Sequence, residues 1–293
     1  MQVKTIKKVI SNKLNEWLET IEDVKLREKV KTNILVSGGS ITSLFLNQPV
    51  NDYDVYIQNI DVLIELAKYY VPNAVLDGRK KEEYIKANIE ELGHAFNENS
   101  ENSVRLKTLK SNQVKLNIPS IGLKMVLVPE KKYQVAFLSQ NAISLTDDLQ
   151  IVLRFNGNNE EIHKTFDYIH ATNFFTFKDG LVTNVDALQC ILSKTLKYQG
   201  SLYPITSIVR MKKFINRGWN ISAGEMLKIM FQISELDLKN PKILEEQLIG
   251  VDIAYFSILI EALRNVDPKK ITSAYINTLI DKIFNEYDED IDA

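Results

Sequence analysis

The chain has 293 residues, of which 45% are hydrophobic and 25% charged, and its formal net charge is −2. This is the balance of a folded globular protein, and it gives no overall field that attracts nucleic acid, although a local basic stripe would suffice. Cys190 is the only cysteine, which excludes an intrachain disulfide. No apolar run reaches the ~18–20 residues that span a bilayer, so we expect a cytoplasmic protein with no membrane partner.

The first third of the chain alternates between helix and strand signals. Helical spacing of apolar residues over 2–31 predicts a helix or a helix pair, and a short buried strand follows over 33–36. We then predict a helix over 40–47, a strand over 53–57 and a helix over 61–70. This order is typical of an α+β fold in which helices pack on a small mixed sheet.

The middle of the chain gives fewer signals. Charge-rich periodicity predicts a helix over 78–100, and an alternating apolar run predicts a strand over 149–155. A helix is predicted over 160–171, and Asp179-Gly180 marks a hairpin between two short strands. Only helix-period segments follow residue 186.

The change of periodicity near residue 185 predicts a domain boundary. We expect an N-terminal helical segment over 1–32, a catalytic domain with a mixed sheet over 33–185, and an all-helical domain over 186–285. The remaining residues, 286–293, form an acidic tail.

The strongest functional signal lies between residues 37 and 54. Gly38, Gly39 and Ser40 join a predicted strand to a predicted helix, and Asp52 and Asp54 follow after a spacer of eleven residues. Glycines let backbone N–H groups approach a phosphate, and the start of a helix favours anions. Carboxylates spaced i, i+2 on a strand point to one side of a sheet, and Mg²⁺ prefers such oxygen ligands. The spacing predicts a site for a nucleoside triphosphate (NTP) and divalent metal ions.

This arrangement resembles the DNA polymerase β-like nucleotidyltransferase superfamily, whose signature is Gly-Gly or Gly-Ser, a spacer, and Asp-x-Asp or Asp-x-Glu. Within the superfamily the chain looks most like the head and neck of tRNA CCA-adding enzymes and bacterial poly(A) polymerases. Residues 166–173, Phe-Asp-Tyr-Ile-His-Ala-Thr-Asn, are similar to their Arg-Asp-Phe-Thr-Ile-Asn-Ala-like segment. The chain is also similar to phage-type nucleotidyltransferase-like proteins, which implies the host cytoplasm.

The resemblance implies a nucleotidyltransferase that moves an NMP from an NTP to an acceptor hydroxyl. The implied acceptor is RNA, with a tRNA 3′ end as one candidate. Asp52 and Asp54 would be catalytic and hold Mg²⁺ or Mn²⁺, and Gly38, Gly39 and Ser40 would bind the β- and γ-phosphates. A protein or small-molecule acceptor stays open because the net charge is close to zero.

Further nucleotide contacts follow from the same resemblance. His170 and Asn173 match the second motif and would contact the nucleotide. Arg210 and Lys213 share one helical face with Arg217, and they would reach the triphosphate or the base. The alternative for this basic face is a solvated helix surface.

The expected third carboxylate is missing from the sequence. Superfamily members usually carry it on a later strand, where this chain has Gln150. A glutamine cannot act as a base, so either Asp167, as the preferred catalytic residue, or Asp148 completes the site, or the site has two carboxylates. A two-carboxylate site opens a second function, a catalytically inactive nucleotide-binding or interaction module on the same fold.

Overall fold

The computed structural model describes residues 1–71, 106–108, 114–116, 118, 122–247, 259–260, 262–264, 266–267 and 270–287. The chain divides into two compact units, Met1–Ser193 and Lys194–Ala293. The helix predicted over 78–100 lies outside the described residues, and so does the acidic tail beyond Tyr287.

The first unit combines helices with strands, which confirms the predicted α+β class. Its described helices are α1 (Val3–Glu19), α2 (Val24–Asn33), α3 (Gly39–Phe45), α4 (Ile60–Tyr70), α5 (Asn159–His163) and α6 (Val185–Ser193). Its described strands are β1 (Ile34–Ser37), β2 (Tyr53–Ile57), β3 (Leu106–Thr108), β4 (Val114–Leu116), β5 (Leu123–Lys124), β6 (Val135–Leu138), β7 (Ala142–Leu145), β8 (Leu149–Val152), β9 (Phe174–Thr176) and β10 (Gly180–Val182).

Eight of these strands form one mixed sheet in the order β10-β9-β1-β2-β8-β7-β6-β5. The β2–β8 pair is parallel, and each other neighbouring pair is antiparallel. The central strands β1 and β2 are close in sequence, whereas their neighbour β8 comes from a distant part of the chain. Strands β3 and β4 pair separately as a short antiparallel ribbon.

One face of the sheet packs against the N-terminal helices. Ile34 and Val36 of β1 and Val55 of β2 point into this core, where they meet the apolar faces of α1 and α4. Trp17 of α1 is fully buried, and its indole N–H donates to the hydroxyl of Tyr70 on α4 over 2.8 Å. The helical face predicted over residues 2–31 is thus part of the sheet's own core.

The opposite face of the sheet is only partly covered. Leu35, Tyr56 and Val152 project from β1, β2 and β8 and pack under Ile162 of α5. The residues that extend this cover are Phe155, Phe166 and Phe174. Because side chains alternate along a strand, Ser37, Asp54 and Gln150 belong to this face.

The second unit is helical apart from one two-residue parallel pair. Its described elements are β11 (Thr195–Leu196), α7 (Pro204–Asn216), β12 (Asn220–Ile221), α8 (Ala223–Ser234), α9 (Pro241–Gln247) and α10 (Ser273–Tyr287). A separate apolar cluster of Leu244, Leu259, Ile260, Leu263 and Ile271 forms its core. Across the described portion of both units, every helix is too short or too polar to cross a membrane.

Candidate active site

A row of side chains crosses the partly covered face of the sheet and brings the two sequence motifs together. Strand register pairs Asp54 with Gln150 and Gln150 with Ser144, while Ser37 pairs with Phe174. Since Val36 pairs with Val55, Ser37 lies next to Asp54 in the same row. The end of β1 and the start of β2 therefore place the glycine turn beside the aspartate pair.

Gly38 is the residue of the turn that lies close to the carboxylate of Asp54. Its backbone has φ +100° and ψ −150°, a conformation that is open almost only to glycine. A Cβ built on Gly38 would lie 3.2 Å from Oδ2 of Asp54, whereas one built on Gly39 meets nothing within 4 Å. The first glycine is thus required by both conformation and space, and the second faces open surroundings.

The N–H of Gly38 points back into the protein. It donates to the carbonyl oxygen of Ala171 over 3.1 Å, and the hydroxyl of Thr42 donates to the carbonyl oxygen of His170 over 3.1 Å. These bonds tie the turn and α3 to the segment just before β9. The backbone groups that remain at the helix start are those of Gly39 and Ser40, whose N–H groups have no acceptor within the helix.

Asp52 directly precedes β2, and its surroundings disfavour the charged form of its carboxyl. Neighbouring protein atoms displace water from its carboxyl and raise its pKa above the ordinary value, and the negative charge of Asp148 raises the pKa further. Asp148 precedes β8, and its carbonyl oxygen accepts a hydrogen bond from the N–H of Tyr53 over 2.8 Å. The parallel β2–β8 pairing thus supplies a third carboxylate close to the predicted pair.

Gln150 occupies the position beside Asp54 where the resemblance leads one to expect a carboxylate. Its side-chain amide donates to the hydroxyl of Ser144 over 3.1 Å. Among the described residues, no group of three His, Cys, Asp or Glu side chains has a geometry that could hold a metal ion. Within the described part of the chain, Asp52, Asp54 and Asp148 are the carboxylates found together at this end of β2.

The predicted helix over 160–171 is wrong beyond His163. Helix α5 ends there, a turn follows, and Ile169–Ala171 forms a single 3-10 turn before β9. Asp167 therefore lies on irregular backbone, where its side chain is buried near His170. His163 and His170 therefore lie on separate elements, the first at the end of α5 and the second in the 3-10 turn.

The segment before β9 nevertheless reaches the glycine turn, while contact of His170 and Asn173 with the nucleotide stays a prediction. His170 and Asn173 are both 1% exposed. The Asn173 side-chain oxygen accepts the N–H of Asn184 over 2.9 Å, while its amide nitrogen and the Ser40 hydroxyl are buried without a hydrogen-bond partner in the described structure. Such unpaired polar atoms are costly, and they mark places where a bound ligand would supply the missing partner.

His163 is a contact that sequence reasoning missed. Its Nε2 lies 2.9 Å from the hydroxyl oxygen of Ser37, 126 residues earlier in the chain. Burial lowers the pKa of His163 to about 4, so its ring is neutral at neutral pH. The only sequence signal was a serine at the buried end of an apolar strand, which needs a polar partner.

Arg210 and Lys213 both lie on α7 of the second unit. Arg210 is partly buried, and Lys213 is exposed. The two sequence motifs belong to the first unit and these cations to the second, so their contact with the nucleotide stays a prediction.

The carboxylates suit a hard divalent cation. Mg²⁺ is usually bound by one or two protein carboxylates together with waters and substrate phosphates, so a pair of aspartates is sufficient. The raised pKa of Asp52 reflects crowding of negative charge beside Asp148 in a partly dehydrated place. A cation between Asp52 and Asp54 would relieve that crowding, so the residues fit the group.

Comparison with known proteins gives a family and several distant structures. A Gabija anti-defense 2 protein of Bacillus phage SPbetaL7 is 22% identical over 244 residues, which cover 82% of this chain and 46% of that protein. The chain thus spans about half the length of the curated relative it matches.

The solved structures that the chain resembles at a distance include two CCA-adding enzymes. The Thermotoga maritima enzyme complexed with tRNA is 14% identical, with a TM-score of 0.38 over 85% of this chain and 53% of that chain. The Bacillus stearothermophilus enzyme in complex with CTP is 11% identical, with a TM-score of 0.38 over 82% of this chain and 51% of that chain. At these scores the similarity carries no inference about the site.

The match to a family model, unlike the similarity to these structures, is extensive enough to assign the chain to a family. The model of the Gabija anti-defense 2 family matches residues 8–194, which is more than half of the chain. The match ends within one residue of the boundary of the first unit, so it contains the whole sheet and both motifs. The chain belongs to the Gabija anti-defense 2 family.

Proposed function

We propose that the first unit is a metal-dependent nucleotidyltransferase domain, which moves an NMP from an NTP to an acceptor hydroxyl. The observation that carries this proposal is the contact between the two motifs. Asp54 lies against the strained Gly38 turn, and Asp52 directly precedes β2, two positions before Asp54. A phosphate-binding turn and metal-binding carboxylates need this proximity to act on one triphosphate.

Each group has a distinct role in the proposed reaction. Asp52 and Asp54 hold the divalent ion, which neutralises phosphate charge when it is bound. The backbone of Gly39 and Ser40 binds the terminal phosphates at the start of α3, and the unpaired Ser40 hydroxyl is a further donor. Asn173 offers its unpaired amide nitrogen to an acceptor atom of the nucleotide.

Asp148 is a better candidate than Asp167 for the third carboxylate. Asp148 is exposed, and its charge acts on Asp52, so it is accessible to an acceptor hydroxyl at that end of β2. Asp167 is buried near His170. We infer that Asp148 positions the acceptor hydroxyl and accepts its proton, while Asp167 supports the segment that leads to Asn173.

The acceptor follows from the resemblance and from the family. Similarity of the motifs to CCA-adding enzymes favours RNA, and the family name indicates an action against the defence system called Gabija. We propose that NMP transfer to a cellular RNA serves this action in the host cytoplasm.

One observation favours the alternative of a nucleotide-binding module without transfer. Gln150 stands beside Asp54 and is bonded to Ser144, so the row has no carboxylate at that position. Such a site could hold a metal-bound NTP without aligning an acceptor. This second candidate predicts NTP binding without release of pyrophosphate.

The decisive experiment follows label from each α-labelled NTP, with Mg²⁺ or Mn²⁺, into a mixture of total RNA and total protein. Asp52→Asn and Asp54→Asn keep the size of each side chain and remove its charge, and each should abolish the labelled product. Asp61→Asn, at an exposed carboxyl in the first turn of α4, is the matched control and should label as wild type does.

The labelled band identifies the acceptor class, since nuclease removes labelled RNA and protease removes labelled protein. Label that persists in Asp52→Asn or Asp54→Asn contradicts the assignment of the site. Binding of NTP by wild type without any labelled product moves the assignment to the inactive module.

A further inference from the structure

We propose that His163 is a positioning residue for the glycine turn, which it holds through a hydrogen bond to Ser37. This inference rests on the proposed function, because the turn it holds is the proposed phosphate site. His163 is the last residue of α5, the helix that packs on the face of the sheet opposite the N-terminal helices. It acts through Ser37, whose hydroxyl oxygen lies 2.9 Å from Nε2 of His163.

Ser37 is the junction of this arrangement. It is fully buried at the end of β1, directly before Gly38. Its hydroxyl oxygen lies 2.8 Å from the carbonyl oxygen of Asn173, 3.1 Å from that of Ala171 and 2.9 Å from Nε2 of His163. The end of β1, the end of α5 and the segment 171–173 therefore meet at one hydroxyl.

The number of protons decides the direction of these bonds. A hydroxyl has one proton to donate, and both carbonyl oxygens can only accept. If the proton pointed to His163, both carbonyl oxygens would face the lone pairs of Ser37 without a hydrogen between them. The proton therefore points to a carbonyl, and His163 donates its Nε2–H to the oxygen of Ser37.

The ring of His163 is held in the position that this bond requires. It packs against Phe166 with ring centroids 5.3 Å apart and against Phe174 at 5.7 Å. Because Phe174 is the register partner of Ser37, the same strand pair orients the donor and the acceptor. The bond thus connects α5 to β1 and β9 at the row that contains Asp54.

The bond from His163 to Ser37 restrains the position of the glycine turn. Ser37 is followed by Gly38, whose strained backbone lies against Oδ2 of Asp54 and whose N–H is bonded to Ala171. Loss of the donor at His163 would leave the buried hydroxyl of Ser37 one bond short and allow this end of β1 to move. A small shift of the turn changes the distance between the phosphate site and the metal-binding carboxylates, which lowers both affinity and rate.

The test compares His163→Leu with His163→Gln, since a glutamine amide nitrogen can occupy the place of Nε2 and donate to Ser37. His163→Leu is expected to raise the KM for NTP, or its Kd with Mg²⁺ present, by roughly five- to tenfold, which is the effect of one lost hydrogen bond. His163→Gln should restore most of that loss. A double variant with Ser37→Ala should be no weaker in NTP binding than Ser37→Ala alone, because the two changes remove the same bond.

Nitrogen chemical shifts of the His163 ring in the wild-type protein give an independent readout that needs no activity. We expect Nε2 to carry the proton and Nδ1 to lack it at neutral pH. A wild-type KM and Kd in His163→Leu, a Gln variant as weak as the Leu variant, or a proton on Nδ1 would each overturn the proposal. If wild type transfers no label but binds NTP, the proposed transfer fails while the Kd and ring-nitrogen measurements still decide the role of His163.

Discussion

At the scale of single residues, the site depends on a few atoms that the fold holds in unfavourable states. Gly38 has a backbone that other residues avoid, Asp52 has a raised pKa, and Ser40 has a buried hydroxyl without a partner in the described chain. Strain and unpaired groups persist only where the surrounding structure enforces them, and they cluster at functional sites. Their presence around one turn supports the proposed site independently of the motif.

The two glycines of the turn are expected to respond differently to the same substitution. Gly38→Ala places a Cβ 3.2 Å from Oδ2 of Asp54 in a left-handed backbone, and it should lower the free energy of unfolding by about 1–3 kcal/mol. Gly39→Ala meets open space at the first position of α3, so it should leave stability unchanged or raise it by up to ~1 kcal/mol. Chemical denaturation of both variants measures the difference, and equal losses would contradict this account of the turn.

The buried histidines predict a loss of stability in mild acid. Burial lowers the pKa of His170 to about 4, although the charge of Asp167 opposes this, while an unfolded histidine titrates near ~6.5. Between these values the unfolded chain binds more protons, so the free energy of unfolding falls as the pH falls from about 6.5 towards 4, by up to ~1.4 kcal/mol per pH unit for each such group. His163 adds a second contribution of the same sign.

Unfolding free energies measured at pH 7, 6 and 5 test this dependence. His170→Gln removes the titrating group, so the slope between pH 6.5 and 5 should become shallower whatever the variant's absolute stability. A slope as steep as that of the wild type would show that other groups cause the acid sensitivity.

At the scale of elements, the sequence predicted best those helices and strands that local interactions stabilise. The strand Tyr53–Ile57 was predicted to the residue, because alternation of apolar residues reports directly on one buried face. The helix over 160–171 was predicted too long, because Phe166 packs on the cluster that contains Leu35 and Tyr56, and the carbonyl oxygens of His170 and Ala171 accept hydrogen bonds from Thr42 and Gly38. Short strands such as β5 had no local signal, since their pairing partner supplies the stabilisation.

The contact between α1 and α4 gives a prediction at this scale. Tyr70→Phe removes the acceptor of the buried Trp17 indole N–H and should lower the free energy of unfolding by about 1–3 kcal/mol. Tyr69→Phe is the matched control, since its hydroxyl accepts a solvent-exposed bond from the N–H of Glu22, and the loss of an exposed bond should cost less than ~0.5 kcal/mol. Similar losses in both variants would mean that the buried bond does not join the helices.

At the scale of the whole molecule, the chain consists of two units with separate cores. The sheet and the apolar cluster around it lie within Met1–Ser193, and the family match ends at the same boundary. The second unit has its own cluster around Leu263. Each core therefore has the composition needed for cooperative folding on its own.

We expect residues 1–193 to fold without the second unit. Trp17 is fully buried and would be the only tryptophan of this fragment, so its fluorescence reports on the core directly. A single cooperative transition that coincides in fluorescence and far-ultraviolet circular dichroism would confirm an independent unit. A fragment without a cooperative transition would show that the sheet needs the second unit.

The sequence by itself determined the α+β class, the strand that carries Asp54 and the helices on either side of the glycine turn, because these features follow from local periodicity and turn chemistry. It also identified the candidate motif from the spacing between the glycine turn and the aspartate pair. Only the tertiary structure placed Asp148 beside Asp52, ended α5 at His163 and joined His163 to Ser37. Those contacts join residues about a hundred positions apart, and strand register across the sheet, which no local pattern encodes, brings them together.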